Sequence, residues 1–110
     1  MGYLLHQIVV AEYDSASPED YRPLEQWRET LAPEWKTLVV GPIIAPVNCC
    51  VWWVLLPDGS KEGWADSDKG DEIRQQFIEI ANGRKRWPSV QLHASFGDGG
   101  PMILGGWPDA

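Results

Sequence analysis

Two adjacent cysteines, Cys49 and Cys50, are the most nucleophilic side chains that this chain offers for covalent chemistry. A catalytic thiol needs a nearby base and partial exposure, whereas both cysteines lie within the very apolar stretch 47–56. Burial raises the pKa of a thiol and makes it unreactive, and neighbouring strand residues point to opposite faces, which disfavours a disulfide between them. We therefore interpret both as buried free thiols, which favours a reducing compartment.

Two glycine-containing segments place small or hydroxyl side chains in turns. Ser60 follows an Asp-Gly pair, but a nucleophilic serine of the G-x-S-x-G type requires a strand, a turn and then a helix. The segment 96–101 is rich in glycine, but no helix follows it to receive a phosphate. The sequence therefore predicts no catalytic residue.

The two histidines are predicted to lie on neighbouring strands. His6 shares its strand face with apolar residues, and His93 lies on the polar face of a later strand. If the two strands pair, the two rings would approach each other, but a metal or haem site would need further ligands, and no spacing marks them. We interpret each as a core or surface histidine and predict neither a metal site nor a cofactor.

A cluster of acids imitates a calcium-binding loop, with carboxylates at Asp66, Asp68, Asp71 and Glu72. The match fails in detail, because Gly70 comes one position too early and the twelfth position is Phe77, where a bidentate glutamate is required. An acid-rich helix start with Ser67 or Asp68 as its N-cap explains the same residues.

One basic cluster, in residues 83–87, contains Arg84 and Arg86 and is followed by Trp87. Positive charge is favourable at the C-terminal end of a helix, which explains the cluster structurally. As a functional alternative, it would contact an acidic group, because arginine and tryptophan are both enriched at interaction sites.

The seven tryptophans are the strongest indication of a binding surface, because they are too many large rings for one small core. Trp52 and Trp53 are neighbours in a strand that is apolar on both faces, so one helix layer cannot cover both. The second face would meet a partner, a ligand or the C-terminal segment 102–107 folded over it. The predicted binding residues are Trp52, Trp53, Trp64, Trp87, Arg84, Arg86, Asp66 and Asp68.

The pattern of the remaining segments predicts one domain over residues 1–110, with a flexible tail at 105–110. Strands are expected at 3–13, 47–56, 61–64 and 89–96, with a short one at 102–106 and an edge strand or extended loop at 37–46. Helices are expected at 20–31 and from the cap at residue 67 or 68 to residue 82. A tight hairpin at 57–60 would pair 47–56 with 61–64. In the last long strand, we expect Val90, Leu92, Ala94 and Phe96 to point inward and Gln91, His93 and Ser95 outward. This predicts a two-layer α+β sandwich: a mainly antiparallel sheet of four to six strands with two helices on one face, ferredoxin-like as the nearest common pattern.

Composition restricts the function classes. The chain has 110 residues and a formal net charge of -7, which repels nucleic acid backbones and argues against nucleic acid as a direct ligand. The N-terminus has no basic region followed by a cleavage site, and no apolar run approaches the ~20 residues of a membrane helix. We expect a cytoplasmic protein with no membrane association.

These observations favour a non-enzymatic binding protein that acts through an acidic, tryptophan-bearing sheet surface. In size, acidity and lack of catalytic motifs the chain resembles the small inhibitors of phages and mobile elements, such as anti-CRISPR proteins, or immunity proteins. That resemblance implies occlusion of a host protein complex, with carboxylates competing for basic residues of the target. The alternative is a homodimeric α+β-barrel ligand-binding protein or small oxygenase, in which His6, His93 and Trp53 line a pocket.

Overall fold

The computed structural model describes residues 3–62, 65–83 and 89–106. Its strands are β1 (Tyr3–Asp14), β2 (Val39–Ile44), β3 (Cys50–Leu55), β4 (Lys61–Glu62), β5 (Val90–Gly97) and β6 (Met102–Gly105). Its helices are α1 (Arg22–Glu29), α2 (Pro33–Lys36) and α3 (Ala65–Ala81), with a 3₁₀ turn at Pro18–Asp20. Pro23 lies in the first turn of α1, where its missing N–H breaks no helical hydrogen bond.

The sheet is antiparallel, and β1 is its central strand. The strands follow each other across the sheet in the order β2-β3-β1-β5-β6, and β4 pairs with the beginning of β1. The predicted α+β class and antiparallel sheet are confirmed, and the described strands form an open sheet without barrel closure. The order of β2, β3, β1 and β5, with α1 and α3 as crossovers, is that of a split β-α-β arrangement.

The helices cover one face of the sheet, as predicted. Leu24 of α1 and Phe77 of α3 are fully buried against the strands, and Trp27 packs edge-on against Phe77 at a ring-centroid distance of 6.1 Å. The buried apolar residues that the strands contribute to this core are Val9, Ala11, Tyr13, Val39, Val51, Trp53, Leu55 and Val90. The two layers therefore share one core.

Strand β3 has two apolar faces, as predicted, but it begins later than expected. Val51 and Trp53 are 0% exposed, whereas Trp52 and Val54 between and beside them are half-buried. Residues 47–49 instead belong to the hairpin loop between β2 and β3, where Asn48 and Cys49 have positive φ angles of 62° and 55°. The expectation that both thiols are buried is therefore wrong: Cys49 is exposed and Cys50 is half-buried.

The hairpin expected at residues 57–60 does not form. Both β3 and β4 pair with β1, β3 at residues 9–14 and β4 at residues 3–4. The connection leaves the sheet between them, because Asp58 turns toward α3 and pairs there with Arg74. Asp58 also accepts hydrogen bonds from the backbone N–H and hydroxyl of Ser60 at 2.8 and 2.7 Å, which closes a local turn.

The orientation predicted for β5 is largely wrong. Leu92 lies opposite Val10 of β1 and points away from the helices, while His93 and the buried Ser95 face the helix layer. Val90 alone of the predicted inward set is in the core, because a register shift separates its pairing from that of Leu92. The predicted alternation was correct, but it could not tell which face the helices cover.

The expectations for the start of α3 and for the C-terminal segment also need correction. Helix α3 begins at Ala65, so Ser67 and Asp68 lie inside its first turns and not at its N-cap. Residues 102–104 form the edge strand β6 beside β5 and do not fold across the sheet. Of the predicted flexible tail, Gly105 ends β6 and Gly106 is buried, and residues 107–110 lie outside the described residues.

Candidate functional site

The face of the sheet that points away from the helices carries a broad apolar surface, which we call the open face. One row of side chains crosses four paired strands through Val40, Val54, Val10 and Leu92. The other rows of the open face, read across the pairing register, are Ile43, Trp52 and Glu12; Ile8, Ala94 and Ile103; and His6 and Phe96. Opposed side chains on one face lie about 4.5–5.5 Å apart at Cβ, so these rows form one continuous surface.

Burial distinguishes the open face from the helix-covered face of the same strands. On β1, Val9 and Ala11 are 0% exposed, while Val10 between them is only half-buried. Toward the two edges the exposure rises, to 45% for Ile43 and 70% for Ile103. No helix among the described residues lies on this face, so its apolar groups are in contact with solvent. Apolar patches of this extent usually mark interaction sites.

In the pairing rows of described side chains, the polar groups of the open face lie at the two ends of β1. Glu12 lies at one end, followed by Asp14 at the end of the strand, and Cys50 donates its S–H to Glu12 Oε2 at 3.0 Å. This hydrogen bond, burial and the nearby negative charge raise the pKa of the Cys50 thiol above its ordinary value. At the other end, the His6 ring packs against Phe96 with centroids 5.2 Å apart. The centre of the open face is therefore purely apolar.

Of the two tryptophans predicted to bind, the structure places Trp52 on the open face and Trp53 in the core. The Trp53 ring lies against the Gly41 backbone, where a Cβ would be 2.5 Å from the ring and φ is +155°. The Arg28 guanidinium carbon stands 5.0 Å from the centroid of the same ring, and Arg28 also donates to the Gly41 carbonyl at 2.8 Å. The Tyr21 ring packs against the Trp53 ring, with the two centroids 5.7 Å apart. Trp53 is thus a structural residue and is not available at the surface.

Of the other predicted binding residues, the structure describes the side chain of Asp68 alone. Asp68 is exposed on α3, in the layer on the opposite side of the sheet from Trp52. Trp64, Trp87, Arg84 and Arg86 lie outside the described residues, as does the side chain of Asp66. The described members of the predicted set therefore lie apart, with Trp52 on the open face, Trp53 in the core and Asp68 in the helix layer.

The two histidines lie on neighbouring strands but on opposite faces. His6 is on the open face, whereas His93 faces α3 and its Nε2 is 2.8 Å from Gln7 Oε1. Burial and the positive charge of Arg74 lower the pKa of His93 below its ordinary value, which favours the neutral ring. The two rings therefore do not meet, and within the described residues no group of three or more histidine, cysteine or carboxylate side chains could hold a metal ion.

His93 borders a cleft of about 310 Å³ between α3 and the sheet. The lining residues are Gln7, Asp71, Arg74, Gln75, Ile78, Glu79 and His93. Arg74 is already paired there with Asp58 at 3.4 Å and with Asp71 at 2.6 Å, so its charge is neutralised within the chain. The lining residues contain hydrogen-bonding groups, and no nucleophile paired with a base is among them.

The buried pair of Arg74 and Asp58 was not predicted from the sequence. No local pattern connects two residues 16 positions apart. The one available signal was Gly70, an isolated glycine within a helical pattern, which often has a packing reason. Here a Cβ at Gly70 would collide with Asp58 Oδ2, so the helix needs glycine at the point where the loop carboxylate approaches. Asp71, read as part of an imitation calcium loop, is instead a partner of Arg74.

Comparison with known proteins gave no match: no family model, no curated protein and no solved structure is significantly similar to the chain. Among the described residues, no helix combines the length and the apolar character needed to cross a membrane.

Proposed function

We propose that this chain is a non-enzymatic binding protein, and that the open face is the surface with which it binds another polypeptide. The observation that carries the proposal is the contrast within single strands. Trp52 and Val54 are accessible on one side of β3, while Val51 and Trp53 are completely buried on the other. A sheet that needs only one covered face usually carries polar residues on the second. Here the second face is apolar as well.

The energetics of the open face support the same proposal. Covering apolar surface contributes roughly 25 cal/mol per Å² removed from water. Trp52 lies beside Ile43 in the pairing register and brings a large ring at low entropic cost, which is the usual property of an interface hot spot. The adjacent row, from Val40 to Leu92, contains no polar side chain. Burying it therefore requires no compensating side-chain hydrogen bonds.

The electrostatics of the open face favour an apolar partner surface over a basic one. Among the strand side chains that the structure describes, acidic groups on this face are limited to Glu12 and Asp14 at one end. An inhibitor of the expected kind would use carboxylates to compete for basic residues of its target. The described strand side chains at the centre of the open face include no carboxylate. The proposal is therefore limited to binding through apolar contact.

The alternative ligand-binding function loses the pocket that was predicted for it. Its three expected lining residues are separated, because His6 lies on the open face, His93 faces α3, and Trp53 is buried in the core. No one cavity can be lined by all three. The separation favours the binding protein over the small oxygenase.

The test uses the tagged chain as bait in an extract of its source cells. We compare the wild type with Trp52→Glu and with Gln26→Glu, a control that adds the same charge on an exposed position of α1. A polypeptide retained by the wild type and the control, but not by Trp52→Glu, supports the proposal. Equal retention by all three variants, with folding verified by thermal unfolding, would contradict it.

A further inference from the structure

We infer that the polypeptide covering the open face is a second copy of this chain, packed sheet against sheet around a twofold axis. The inference rests on the proposed function and specifies its partner. Three observations carry it: the position of the negative charge, the arrangement of the polar groups along β1, and the extent of the apolar surface.

The first observation is the position of the negative charge. The chain carries a formal net charge of -7, so two copies repel each other in most orientations. The exposed carboxylates of the helix layer include Glu29, Glu34, Asp68, Asp71, Glu72 and Glu79. When two sheets face each other at ~10 Å, the helix layers lie on the outside, roughly 30 Å apart. That separation exceeds the Debye length of about 8 Å at physiological salt, so the repulsion is largely screened.

The second observation is that the open face is self-complementary in the placement of its polar groups. On the central strand β1, His6 lies near one end of the open face, and Glu12 lies near the other. The two positions are six residues apart along the strand, or about 20 Å. A twofold axis perpendicular to β1 and passing near Ile8 and Val10 makes the two central strands antiparallel. It thereby brings His6 toward the partner's Glu12 at both ends of the interface.

The third observation is the area. Five strands spaced about 4.8 Å apart, with about 20 Å of open face along each, give a flat footprint on the order of 500 Å². The accessible surface of protruding side chains exceeds this footprint. The flat footprint alone is more than half of the roughly 800 Å² that each partner contributes to a standard interface. The strongly exposed Ile43 and Ile103 at the two edges extend the same apolar surface.

The experiment is sedimentation velocity over a concentration range of about 1 to 100 µM. We expect a wild-type dimer in this range. Trp52→Glu on β3, in the row of Glu12, and Ile103→Glu at the exposed edge of the face should each weaken dimerisation at least about 10-fold. Gln26→Glu on α1 should change it by less than about 2-fold. Ile103 is 70% exposed, so its substitution keeps the test valid even if Trp52→Glu impairs folding.

A reciprocal exchange tests the antiparallel arrangement. His6→Glu and Glu12→His should each weaken the dimer, because each places like groups opposite one another, and the double variant should regain most of the wild-type affinity. If the double variant does not regain most of the wild-type affinity, the twofold arrangement described here is overturned.

The outcomes separate this inference from the proposed function. A wild-type chain that stays monomeric over the whole range, or a dimer unaffected by both Trp52→Glu and Ile103→Glu, overturns the second-copy inference. If another protein is nevertheless retained in a Trp52-dependent manner, the proposed function stands. If neither the chain itself nor any other protein is retained in that manner, both fail.

Discussion

Arg74, in the middle of α3, forms an ion pair with Asp58 in the connection between β3 and β4, with Nη1 and Oδ2 3.4 Å apart. Both side chains are almost completely shielded, with exposures of 9% and 7%. Asp58 also closes its own turn through Ser60, and Arg74 has a second partner in Asp71. This pair fixes the position at which the chain leaves the sheet, and with it the pairing of β4 with β1.

Replacing Asp58 with alanine should destabilise the protein by about 3 kcal/mol, because removal of one member leaves the buried Arg74 charge with the more exposed Asp71 as its remaining partner. The free energy of unfolding is measured by urea denaturation. Asp68→Ala, at an exposed position of the same helix, is the matched control and should change it by less than about 0.5 kcal/mol. Equal effects of the two substitutions would show that the pair has no structural role.

Gly70→Ala should also destabilise the protein, although alanine is normally more favourable than glycine within a helix by about 1 kcal/mol. The reason is steric, because the new Cβ would collide with the Asp58 carboxylate. In the Asp58→Ala background the same substitution should become neutral or stabilising. A double-mutant cycle in urea measures this reversal, and additive effects of the two substitutions would rule out the proposed collision.

Trp53→Ala and Trp52→Ala should have different effects, although the residues are adjacent. Trp53 is 0% exposed, and its removal should cost about 3–5 kcal/mol of unfolding free energy by leaving a cavity. Trp52 is half-buried on the open face, so its removal should cost clearly less in the isolated chain. Guanidinium denaturation of dilute protein compares them. Similar losses would indicate that the open face is covered within the chain.

The two cysteines should differ in reactivity toward iodoacetamide at about pH 8. Cys49 is exposed in the hairpin loop, whereas the Cys50 thiol is half-buried and its raised pKa keeps it protonated. Mass spectrometry over time should therefore find Cys49 modified first. Glu12→Ala removes both the hydrogen-bond acceptor and the charge that raise the pKa of Cys50 and should accelerate its modification. The variants Cys49→Ser and Cys50→Ser assign the rates, and faster labelling of Cys50 in the wild type would refute this expectation.

Acidification should destabilise the folded chain through His93. Its pKa is lowered in the folded state by burial and by Arg74, so the unfolded chain binds the proton more readily. The contribution of the neutral ring is fully present above the unfolded pKa of about 6.5, and it is lost as pH falls from there toward the folded pKa. The slope of unfolding free energy against pH, measured between about pH 7.5 and 5, should become smaller in His93→Gln. An NMR titration giving His93 a pKa above 6.5 would contradict the sign.

The amino-acid sequence determined the local features of this protein. Proline is tolerated in the first turn of a helix, so Pro23 required α1 to begin close to it. The period-two pattern of β3 placed Trp52 and Trp53 on opposite faces of a sheet. Together with the amphipathic pattern of α3 these signals predicted an antiparallel sheet with helices on one side. Each depends on residues a few positions apart, which is the range over which backbone geometry controls side-chain direction.

Only the tertiary structure decided which face of the sheet the helices cover and which strands pair. The alternation of β5 was readable, but its apolar members lie on the open face, and the polar His93 faces α3. The Pro-Asp-Gly-Ser segment has the residues of a tight hairpin turn. Asp58 instead pairs with Arg74, 16 residues away, and β4 pairs with β1. Such contacts join residues far apart in the chain, and their energy depends on burial and geometry that no local pattern contains. The open face around Trp52 exists for the same reason: the sequence supplied two apolar faces, and the packing of α1 and α3 left one of them accessible.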